Sequence, residues 1–327
     1  METDIDNLDR QIVNALQIEP RASWAKVAAV LGVDAATVSR RWNRLREAGL
    51  AWVTAYQPGP GEWRTAAVEV ECTGNPLEAA AAVSSDRECF ALDVTSGARD
   101  LLLWVRCDSE VALGDYILTR LGARPQIRSV RAHLVTSFLS EASDWRLGAL
   151  SPARAERFTG RAHHTPATAP TLSGLDRAVL AALHEDGRMP STEIAARTGI
   201  PVRRARDTVQ RLLADRRTVL RTDVAVPVSG RPVQAWYFMR VPAGRVATAA
   251  AQLTRLAQTR LMITTVGTYN LVMGVWLREL SDVTRLEARI EARLDGVRIP
   301  DRCVTLRTVK RAGHLLDPHS RHLTFLP

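Results

Sequence analysis

The strongest constraint on this sequence is that its two halves align with each other. Residues 8–50 match residues 175–217 without a gap, and both segments begin with the tripeptide Leu-Asp-Arg. A second match follows in the same order, where residues 97–101 correspond to residues 267–271. Two matches in one order indicate a duplicated module of about half the chain, and such a repeat governs the interpretation of every other pattern. One polypeptide therefore carries two copies of whatever the half-chain unit does.

The composition is that of a folded protein without membrane spans. Of the 327 residues, 46% are hydrophobic, which is enough for compact cores. No apolar run approaches the roughly 18–20 residues that a membrane span needs. Residues 1–4 are acidic and lack the basic-then-apolar order of a signal peptide. We therefore expect a cytoplasmic protein.

The net charge of +9 points to a polyanionic partner, although only weakly. Lys26 and Lys310 are the two lysines among 44 basic residues, so nearly all of the positive charge comes from arginine. GC-rich coding alone would produce that bias. The inference about a partner must therefore come from motifs.

The cysteine and histidine spacing predicts neither disulfides nor a metal site. The four cysteines form no CxxC pair, so we expect buried free thiols in a reducing compartment. His314, His319 and His322 lie in a Pro-containing tail without a Cys or carboxylate at ligand spacing. We interpret this segment as a solvated tail, and we expect no metal and no cofactor.

The first 50 residues predict a three-helix unit of the helix-turn-helix type. Apolar residues recur at helical spacing over residues 8–16. Ser23 and Asp34 are suited to cap the second and third helices, while Gly32 and Gly49 are suited to end them. Two short helices joined by a Gly-containing turn form the helix-turn-helix motif, whose second helix enters the major groove of DNA.

The third helix carries residue types that bind DNA. Val38, Trp42 and Leu45 fall on one face and predict its core side. The outer face offers hydroxyl groups for base edges and arginines for guanine or phosphate. An ordinary solvated face is the alternative, but two copies of the whole unit favour DNA contact. The predicted contacts are Thr37, Ser39, Arg40, Arg41 and Arg44 in the first copy and Arg203, Arg204, Arg206 and Arg211 in the second.

The two predicted recognition helices are not equivalent. Asp207 in the second copy takes the place of Arg40 in the first. Its charge would repel phosphate unless it accepts a hydrogen bond from a cytosine amino group. We therefore expect the two copies to prefer different half-sites, or one of them to bind more weakly.

A β-α-β-β-α-β pattern follows each helix-turn-helix unit. This order predicts a split-βαβ, ferredoxin-like domain with its helices on one face of an antiparallel sheet. Residues 101–105 and 271–277 are apolar at nearly every position, so the face without helices must also be covered. We expect the equivalent sheet of the other half to cover it. The chain would then fold as a dimer tied by a linker.

Each half resembles the Lrp/AsnC (feast/famine) family of prokaryotic transcription regulators. The matching residues are Leu8-Asp9-Arg10, the turn from Ala28 to Gly32, Val38-Ser39-Arg40-Arg41, and the Gly97-x-x-Asp100 loop. The resemblance implies an α+β fold, in which a winged, three-helix helix-turn-helix domain precedes a βαββαβ ferredoxin-like (RAM-type) domain, twice in tandem. The expected boundaries are 1–55 and 172–225 for the DNA-binding domains, 60–140 and 232–312 for the effector or dimerisation domains, 141–171 for a linker and 313–327 for a tail.

The resemblance also implies a small-molecule effector, an amino acid or other metabolite, near the Gly-x-x-Asp loop. Asn270 replaces the aspartate in the second copy and removes a charge that would pair with an amino group. Arg99 would instead favour an anionic ligand. The alternative is that both loops are tight turns selected for glycine alone. The candidate effector residues are Gly97, Arg99, Asp100, Gly267, Tyr269 and Asn270.

These patterns predict a sequence-specific transcriptional regulator that binds double-stranded DNA as a covalent pseudo-dimer and assembles into a homo-oligomer. An enzyme is the alternative from another class, because proteins resembling this family, some of them fused in tandem, act as sirohaem decarboxylases. Those proteins carry an Arg-His-Arg-like segment, whereas residues 56–64 and 225–235 contain no His. Catalysis needs positioned acid–base groups, so we do not expect an enzyme. An architectural DNA-binding protein without an effector is the second alternative.

Overall fold

The computed structural model describes residues 5–57, 63–158, 172–214 and 218–326. Its first half consists of three helices, a strand and a βαββαβ unit, and it ends in a short helix. These elements are α1 (Asn7–Ile18), α2 (Trp24–Leu31), α3 (Ala35–Glu47), β1 (Ala51–Tyr56), β2 (Arg64–Cys72), α4 (Pro76–Ser84), β3 (Cys89–Thr95), β4 (Leu101–Cys107), α5 (Glu110–Asp115) with a π-helical continuation (Tyr116–Leu121), β5 (Ile127–Ser140) and α6 (Pro152–Ala155).

The second half repeats this order and adds two short strands. Its elements are α7 (Gly174–Glu185), α8 (Ser191–Thr198), α9 (Val202–Ala214), β6 (Val219–Val224), α10 (Val226–Ser229), β7 (Val233–Arg240), a 3₁₀ turn (Ala243–Arg245) leading into α11 (Val246–Leu253), β8 (Thr259–Val266), β9 (Leu271–Leu277), α12 (Ser281–Arg293), β10 (Arg298–Arg311), β11 (His314–Leu316) and β12 (His322–Phe325). Among the helices described, none is both long enough and apolar enough to span a bilayer.

Each three-helix unit, called a head below, starts with the same local device. The Asp6 side chain accepts a hydrogen bond from the backbone N–H of Asp9, and the Asp9 side chain accepts one from the N–H of Asp6. Ser173 and Asp176 form the same reciprocal pair at the start of α7. Such a capping box satisfies two backbone donors that the helix itself leaves unpaired. The predicted start of both heads is thus explained by short-range hydrogen bonding.

Eight strands close into a single barrel. Their order is β3-β4-β2-β5 from the first half followed by β8-β9-β7-β10 from the second. The halves join edge to edge through the antiparallel pairs β5–β8 and β10–β3. Closure leaves no free edge within this ring of strands, so the two sheets form one continuous surface instead of two separate layers.

The helix-free faces of both halves meet inside the barrel. The ring centroids of Trp104 in β4 and Trp236 in β7 lie 5.2 Å apart. Gly274 in β9 is the repeat counterpart of Trp104, and a Cβ placed there would lie 2.5 Å from the Trp236 ring. That distance is too short for any side chain, so the glycine makes room for the tryptophan. The near-continuous apolar character of β4 and β9 follows, because both faces of these strands are buried.

β1 and β6 form a two-stranded ribbon that the sequence pattern does not predict. They pair antiparallel over six residue pairs. The Thr54 hydroxyl of β1 donates to the His184 carbonyl in α7 at 2.6 Å, and the Thr222 hydroxyl of β6 donates to the Leu16 carbonyl in α1 at 2.7 Å. Each strand of the ribbon therefore packs against the head of the other half, which joins the two heads.

The first part of the predicted linker is packed against the first head. The Asn14 side-chain oxygen accepts hydrogen bonds from the backbone N–H groups of Ala149 and Leu150, at 2.8 and 3.0 Å. The ring of Trp145 meets that of Trp276 edge-on at 4.7 Å. Residues 141–158 thus connect the barrel to the first head. The remaining linker residues, 159–171, lie outside the described part of the chain.

The expectation of a solvated tail is wrong. His314 in β11 is fully buried, and its Nε2 lies 3.1 Å from the His184 carbonyl oxygen. The ring of His322 lies 5.5 Å from that of Trp52 in β1. Strands of three or four residues are too short to show a recognisable periodicity, so the sequence pattern does not predict them. Within the described ranges, no group of three His, Cys, Asp or Glu side chains is placed to hold a metal ion.

Candidate nucleic-acid interface

The second helices of the two helix-turn-helix motifs, α3 and α9, bury one face and expose the other. Asp34 caps α3 by accepting a hydrogen bond from the Thr37 backbone N–H at 2.7 Å. Hydrogen bonds from Thr37 lower the pKa of the Asp34 carboxyl group, which keeps it charged at the helix N-terminus. Core-facing residues at matching positions fix the orientation of both helices: Val38, Trp42 and Leu45 in α3 and Ala205, Val209 and Leu212 in α9.

Four of the predicted DNA-contacting arginines are exposed and make no ion pair within the described ranges. Arg40 lies on α3, and Arg203, Arg204 and Arg206 lie on α9. Thr37 and Ser39, also predicted contacts, are partly exposed on α3. A guanidinium group without an internal carboxylate partner is available for a phosphate or for the edge of guanine.

The other three predicted arginines contact the first helix of their own head. Arg44 Nη2 donates to Asp9 Oδ2 at 2.5 Å, and Arg41 Nη1 donates to Asp9 Oδ1 at 3.1 Å. Arg211 makes the corresponding ion pair with Asp176 in the second head. The Arg44 and Arg211 side chains are still 46% and 44% exposed. They orient the recognition helix, and DNA contact by them stays a prediction.

A sequence signal for this internal pairing does exist. The Asp–Arg pair is separated by 35 residues in each head, from Asp9 to Arg44 and from Asp176 to Arg211. Because the same two residue types recur at the same spacing in both copies, the repeat alignment itself indicates a structural contact. The hydrogen bonds that Arg41 donates to Asp6 and Asp9 also raise its pKa.

The outer faces of α3 and α9 differ in charge. Position by position, Thr37, Ser39 and Arg40 of the first head are replaced by Arg204, Arg206 and Asp207 in the second. Asp207 is exposed on α9. Among the described residues, the first recognition face is therefore mostly neutral, with one exposed arginine that makes no ion pair. The second combines three such arginines with one carboxylate.

Reciprocal arginine contacts hold the two heads against each other. Arg21 Nη1 donates to the Gly187 carbonyl at 2.7 Å, and its repeat counterpart Arg188 donates through Nη1 to the Pro20 carbonyl at 2.5 Å. The Arg188 guanidinium also lies over the Trp24 ring, 4.0 Å from its centroid. This exchange is what a local two-fold axis between the heads would produce.

The predicted effector loops hold the ends of barrel strands. Asp100 Oδ2 accepts a hydrogen bond from the Cys72 backbone N–H at 2.7 Å. Its counterpart Asn270 accepts from the Val241 N–H at 2.9 Å and donates to the Val241 carbonyl at 2.7 Å. The replacement of aspartate by asparagine therefore preserves this structural role. Effector binding by these loops, including Gly97, Gly267 and Tyr269, stays a prediction.

Arg99 does not present a free cation to a ligand, contrary to the expectation from sequence. Its side chain is 1% exposed, and Nε donates to Glu69 Oε2 at 2.7 Å. It also pairs with Asp301 from the other half, and it stacks over the Phe238 ring at 4.2 Å. Glu69 is further bound to His133 Nε2 at 2.6 Å. These residues seal one end of the barrel.

Sequence comparisons identify the same motif in both halves. A family model for the AsnC-type helix-turn-helix domain matches residues 5–46 and 172–213. An uncharacterised HTH-type transcriptional regulator of Pyrococcus abyssi is 30% identical over 146 residues, covering 44% of this chain and 90% of that protein. Another from Pyrococcus furiosus is 28% identical over 138 residues, covering 41% and 93%. Each relative thus corresponds in length to about one half of the chain.

A solved structure resembles the whole chain. The siroheme decarboxylase NirDL matches 94% of this chain and 93% of its own, with a TM-score of 0.61 and 12% sequence identity. At this identity the similarity shows a shared fold. The tandem arrangement of two helix-turn-helix units and a common barrel therefore has a counterpart among known proteins.

Proposed function

Because the chain belongs to the Lrp/AsnC family of helix-turn-helix transcriptional regulators, we propose that it binds one operator with both heads of a single polypeptide. The observation that carries this proposal is the set of exposed arginines on both recognition helices, which make no ion pair with any residue that the structure describes. In a helix-turn-helix protein, this surface faces the major groove. The covalent pseudo-dimer takes the place of the two identical subunits that a symmetric operator normally binds.

In this proposal, different side chains contact the base edges and the phosphates. Thr37, Ser39 and Arg40 are the first head's candidates for base contact. Arg203, Arg204 and Arg206 are those of the second. Arg41, Arg44 and Arg211, anchored to the first helix of each head, are suited to phosphate because their guanidinium groups are held in position.

We propose that the operator is an imperfect palindrome. The heads are tied by the ribbon and by the reciprocal arginines, so both half-sites must lie at one fixed spacing. The recognition faces differ in charge, with Asp207 opposite to Arg40 in sign. Because the two heads differ and are held at a fixed spacing, we expect the two half-sites of the operator to differ in sequence.

The finer description of the domains is also a proposal. We assign residues 60–140 and 232–312 to ferredoxin-like, RAM-type domains, since both show the β-α-β-β-α-β order with helices on the outer face. Residues 1–55 and 172–225 are assigned to the DNA-binding domains. A regulator of this type acts on chromosomal DNA, which supports a cytoplasmic location, and assembly of several chains is consistent with the family.

Gel shift and footprinting on the DNA flanking its own gene test the proposal. Arg40→Gln and Arg204→Gln are expected to weaken binding by about 1–3 kcal/mol and to relax the sequence preference at the contacted base pair, as loss of a guanine contact does. Arg289→Gln removes an exposed charge from α12 on the barrel and serves as the matched control. A discrete footprint that survives competitor DNA supports the regulator. Protection without sequence preference would support the architectural alternative instead.

The shared fold with a siroheme decarboxylase favours one second function, decarboxylation of a tetrapyrrole. Against it, residues 56–64 and 225–235 contain no His to serve as an acid–base group. Incubation with siroheme and mass analysis of the product separates the two functions. Conversion of siroheme by a protein that gives no footprint would replace the regulator proposal.

A further inference from the structure

The end of the barrel opposite Arg99 encloses a cavity. Strand β4 runs from Leu101 to Cys107, so Arg99 and Arg106 lie near its opposite ends. Around Arg106 the barrel leaves about 840 Å³ of empty space, including the open mouth. We call this space the barrel cavity; its lining includes Tyr56 and Arg221 of the ribbon.

The walls of the barrel cavity are aromatic. Trp104, Trp236 and Trp276 line it, together with Phe90 and Phe138. These rings come from strands of both halves, so the cavity exists only in the closed barrel. Flat apolar walls of this kind are suited to a planar ligand, because stacked rings gain both burial and favourable ring contacts.

Cations outnumber carboxylates along this lining. Asp93 and Glu141 are its carboxylates, and Asp223 lies behind it, 2.6 Å from both Arg221 Nε and Arg260 Nη2. The cationic lining residues are Arg106, Arg221, Arg260, Lys310 and Arg311. Even if all three carboxylates are ionised, positive charge remains in excess.

Two of the arginines have only backbone oxygens as hydrogen-bond partners within the described ranges. Arg106 Nη2 donates to the Gln57 carbonyl at 2.7 Å, and Arg311 Nη1 donates to the Val224 carbonyl at 3.2 Å. Arg106 Nε and the Thr65 hydroxyl, which also line the cavity, are buried without a partner among the described residues. Unpaired buried donors are costly, and an anionic ligand would satisfy them.

Aromatic rings hold the arginines in position. The Arg106 guanidinium in β4 lies over the Phe90 ring of β3 at 4.5 Å, and that of Arg260 in β8 lies over the Trp276 ring of β9 at 3.8 Å. At the repeat offset of the barrel strands, Phe90 corresponds to Arg260 and Arg106 to Trp276. Both halves therefore contain an arginine stacked on an aromatic ring. The strand that supplies the ring in one half supplies the arginine in the other. Such stacking fixes a guanidinium before any ligand arrives.

Burial also shifts the pKa values of several charged groups in the lining. Burial lowers the pKa of Arg260 to about 9 and also lowers those of Arg106 and Arg311. Burial raises the pKa of Asp93, which weakens its ability to neutralise them. A bound anion would favour the charged form of these arginines, because a nearby opposite charge raises the pKa of a cation.

We propose that the barrel cavity binds a small planar carboxylate, with the carboxylate group on Arg106 and the ring against the aromatic wall. The evidence for this binding site comes from the cavity alone and does not depend on DNA binding. Its regulatory use rests on the proposed DNA-binding function. Tyr56 and Arg221 belong to the ribbon that joins the heads, so an occupant in contact with them would change how firmly the heads are held.

Titration with 2-naphthoate, against neutral 2-naphthamide of the same shape, tests the site. Quenching of the cavity tryptophans, with calorimetry, should give one saturable site per chain and at least about tenfold tighter binding of the carboxylate, about 1.4 kcal/mol. Arg106→Gln and Arg311→Gln should each abolish that preference. Arg240→Gln, at the other end of β7, is the control and should not change it. Melting curves show which variants are folded. If only one of the two cavity variants folds, that variant alone is enough to test the role of the arginines.

Equal binding of the two probes, or no saturable binding of either, would overturn the proposal. A gel shift with and without 2-naphthoate then separates the two inferences. If the protein binds the carboxylate selectively but binds no DNA, the cavity proposal is supported and the regulator proposal is rejected. Selective titration with a changed DNA affinity would support both. Selective titration with unchanged DNA affinity would keep the site and reject its regulatory use.

Discussion

Asp9 and Asp176 each have two roles in their heads. Both close a capping box, and both accept an ion pair from the recognition helix. Asp9 has two arginine partners, because Arg41 also reaches it. In the second head the residue corresponding to Arg41 is Thr208, which leaves Arg211 as the cation that pairs with Asp176 in the described ranges. The same buried carboxylate is therefore less well compensated in the second head.

This difference predicts unequal losses of stability. Arg211→Gln should lower the free energy of unfolding by about 1–2 kcal/mol, below the 3–5 kcal/mol of a fully buried pair because water screens the half-exposed arginine. Arg44→Gln should cost less, since Arg41 still compensates Asp9. Urea unfolding measures both. Arg40→Gln on the same face is the control and should stay within about 0.5 kcal/mol. Equal losses in both heads would contradict this account.

Asp207 offers a gain-of-function prediction. Asp207→Arg restores the residue type found at the equivalent position of the first head. The affinity for DNA should rise and its salt dependence should steepen by about one, because a repulsive charge becomes a phosphate or guanine contact. Salt-dependent gel shifts measure this, with Asp207→Asn as the intermediate case. Weaker binding by Asp207→Arg would indicate that the carboxylate itself contacts a cytosine.

Among the elements, the ribbon and the last two strands connect parts that are distant in sequence. β12 pairs with β11, which extends β10, so the chain end is bound to the barrel. The buried imidazoles of His184 and His314 lie where α7 meets this sheet, with ring centroids 6.3 Å apart. Their environment contains backbone carbonyls and aromatic rings, and it also contains the cations Arg106, Arg221 and Lys310 that act on His184. Such surroundings disfavour a protonated imidazole.

This junction predicts acid sensitivity. Burial lowers the pKa of His184 to about 4 and that of His314 to about 3, whereas an unfolded His titrates near 6.5. Below about pH 6.5 the unfolded state binds more protons, so stability falls by up to about 1.4 kcal/mol per pH unit and per His as the pH drops toward those values. Urea midpoints at pH 7 and pH 5 measure the loss. His184→Gln should reduce the slope, and the exposed His319→Gln should not.

Short-range elements could be predicted from the sequence, and long-range contacts could not. The helices of the heads follow from periodicity and caps within about a dozen residues. β1 is buried at every position, and its partner β6 lies in the other half, so neither alternation nor a nearby turn identifies the ribbon. The burial of Arg99 depends on Asp301, which is 202 residues away. Nothing in the sequence near the loop indicates this distant partner, so the prediction of a free cation at Arg99 is wrong.

The whole molecule is one closed assembly of two halves. β5–β8, β10–β3 and β1–β6 are all pairings between halves, and Arg21 and Arg188 add contacts between the heads. Each half on its own would expose the barrel edges that these pairings cover. Open strand edges of this kind promote aggregation. The association of the halves therefore depends mainly on the pairings and less on the peptide connection.

Cleavage of the connection tests this. A protease site inserted within residues 159–171 should be cut without separating the two fragments, because the strand pairings between halves remain. Size-exclusion chromatography should show the fragments eluting together, and the DNA affinity should stay within about twofold of the uncut protein. Fragments that separate under native conditions would show that the linker, by raising the local concentration of the partner half, is required.

The fusion of the two halves also determines which molecular species a cell contains. Two diverged subunits made from separate genes would mix into three dimers, and two of those would carry matching heads. In the single chain, Arg21 always meets the half that carries Arg188, and Phe90 always shares a barrel with Trp276. Each copy is thus free to change without forming competing like-with-like pairs. The duplication turns a mixture of species into a single defined one, whose stoichiometry is fixed at translation.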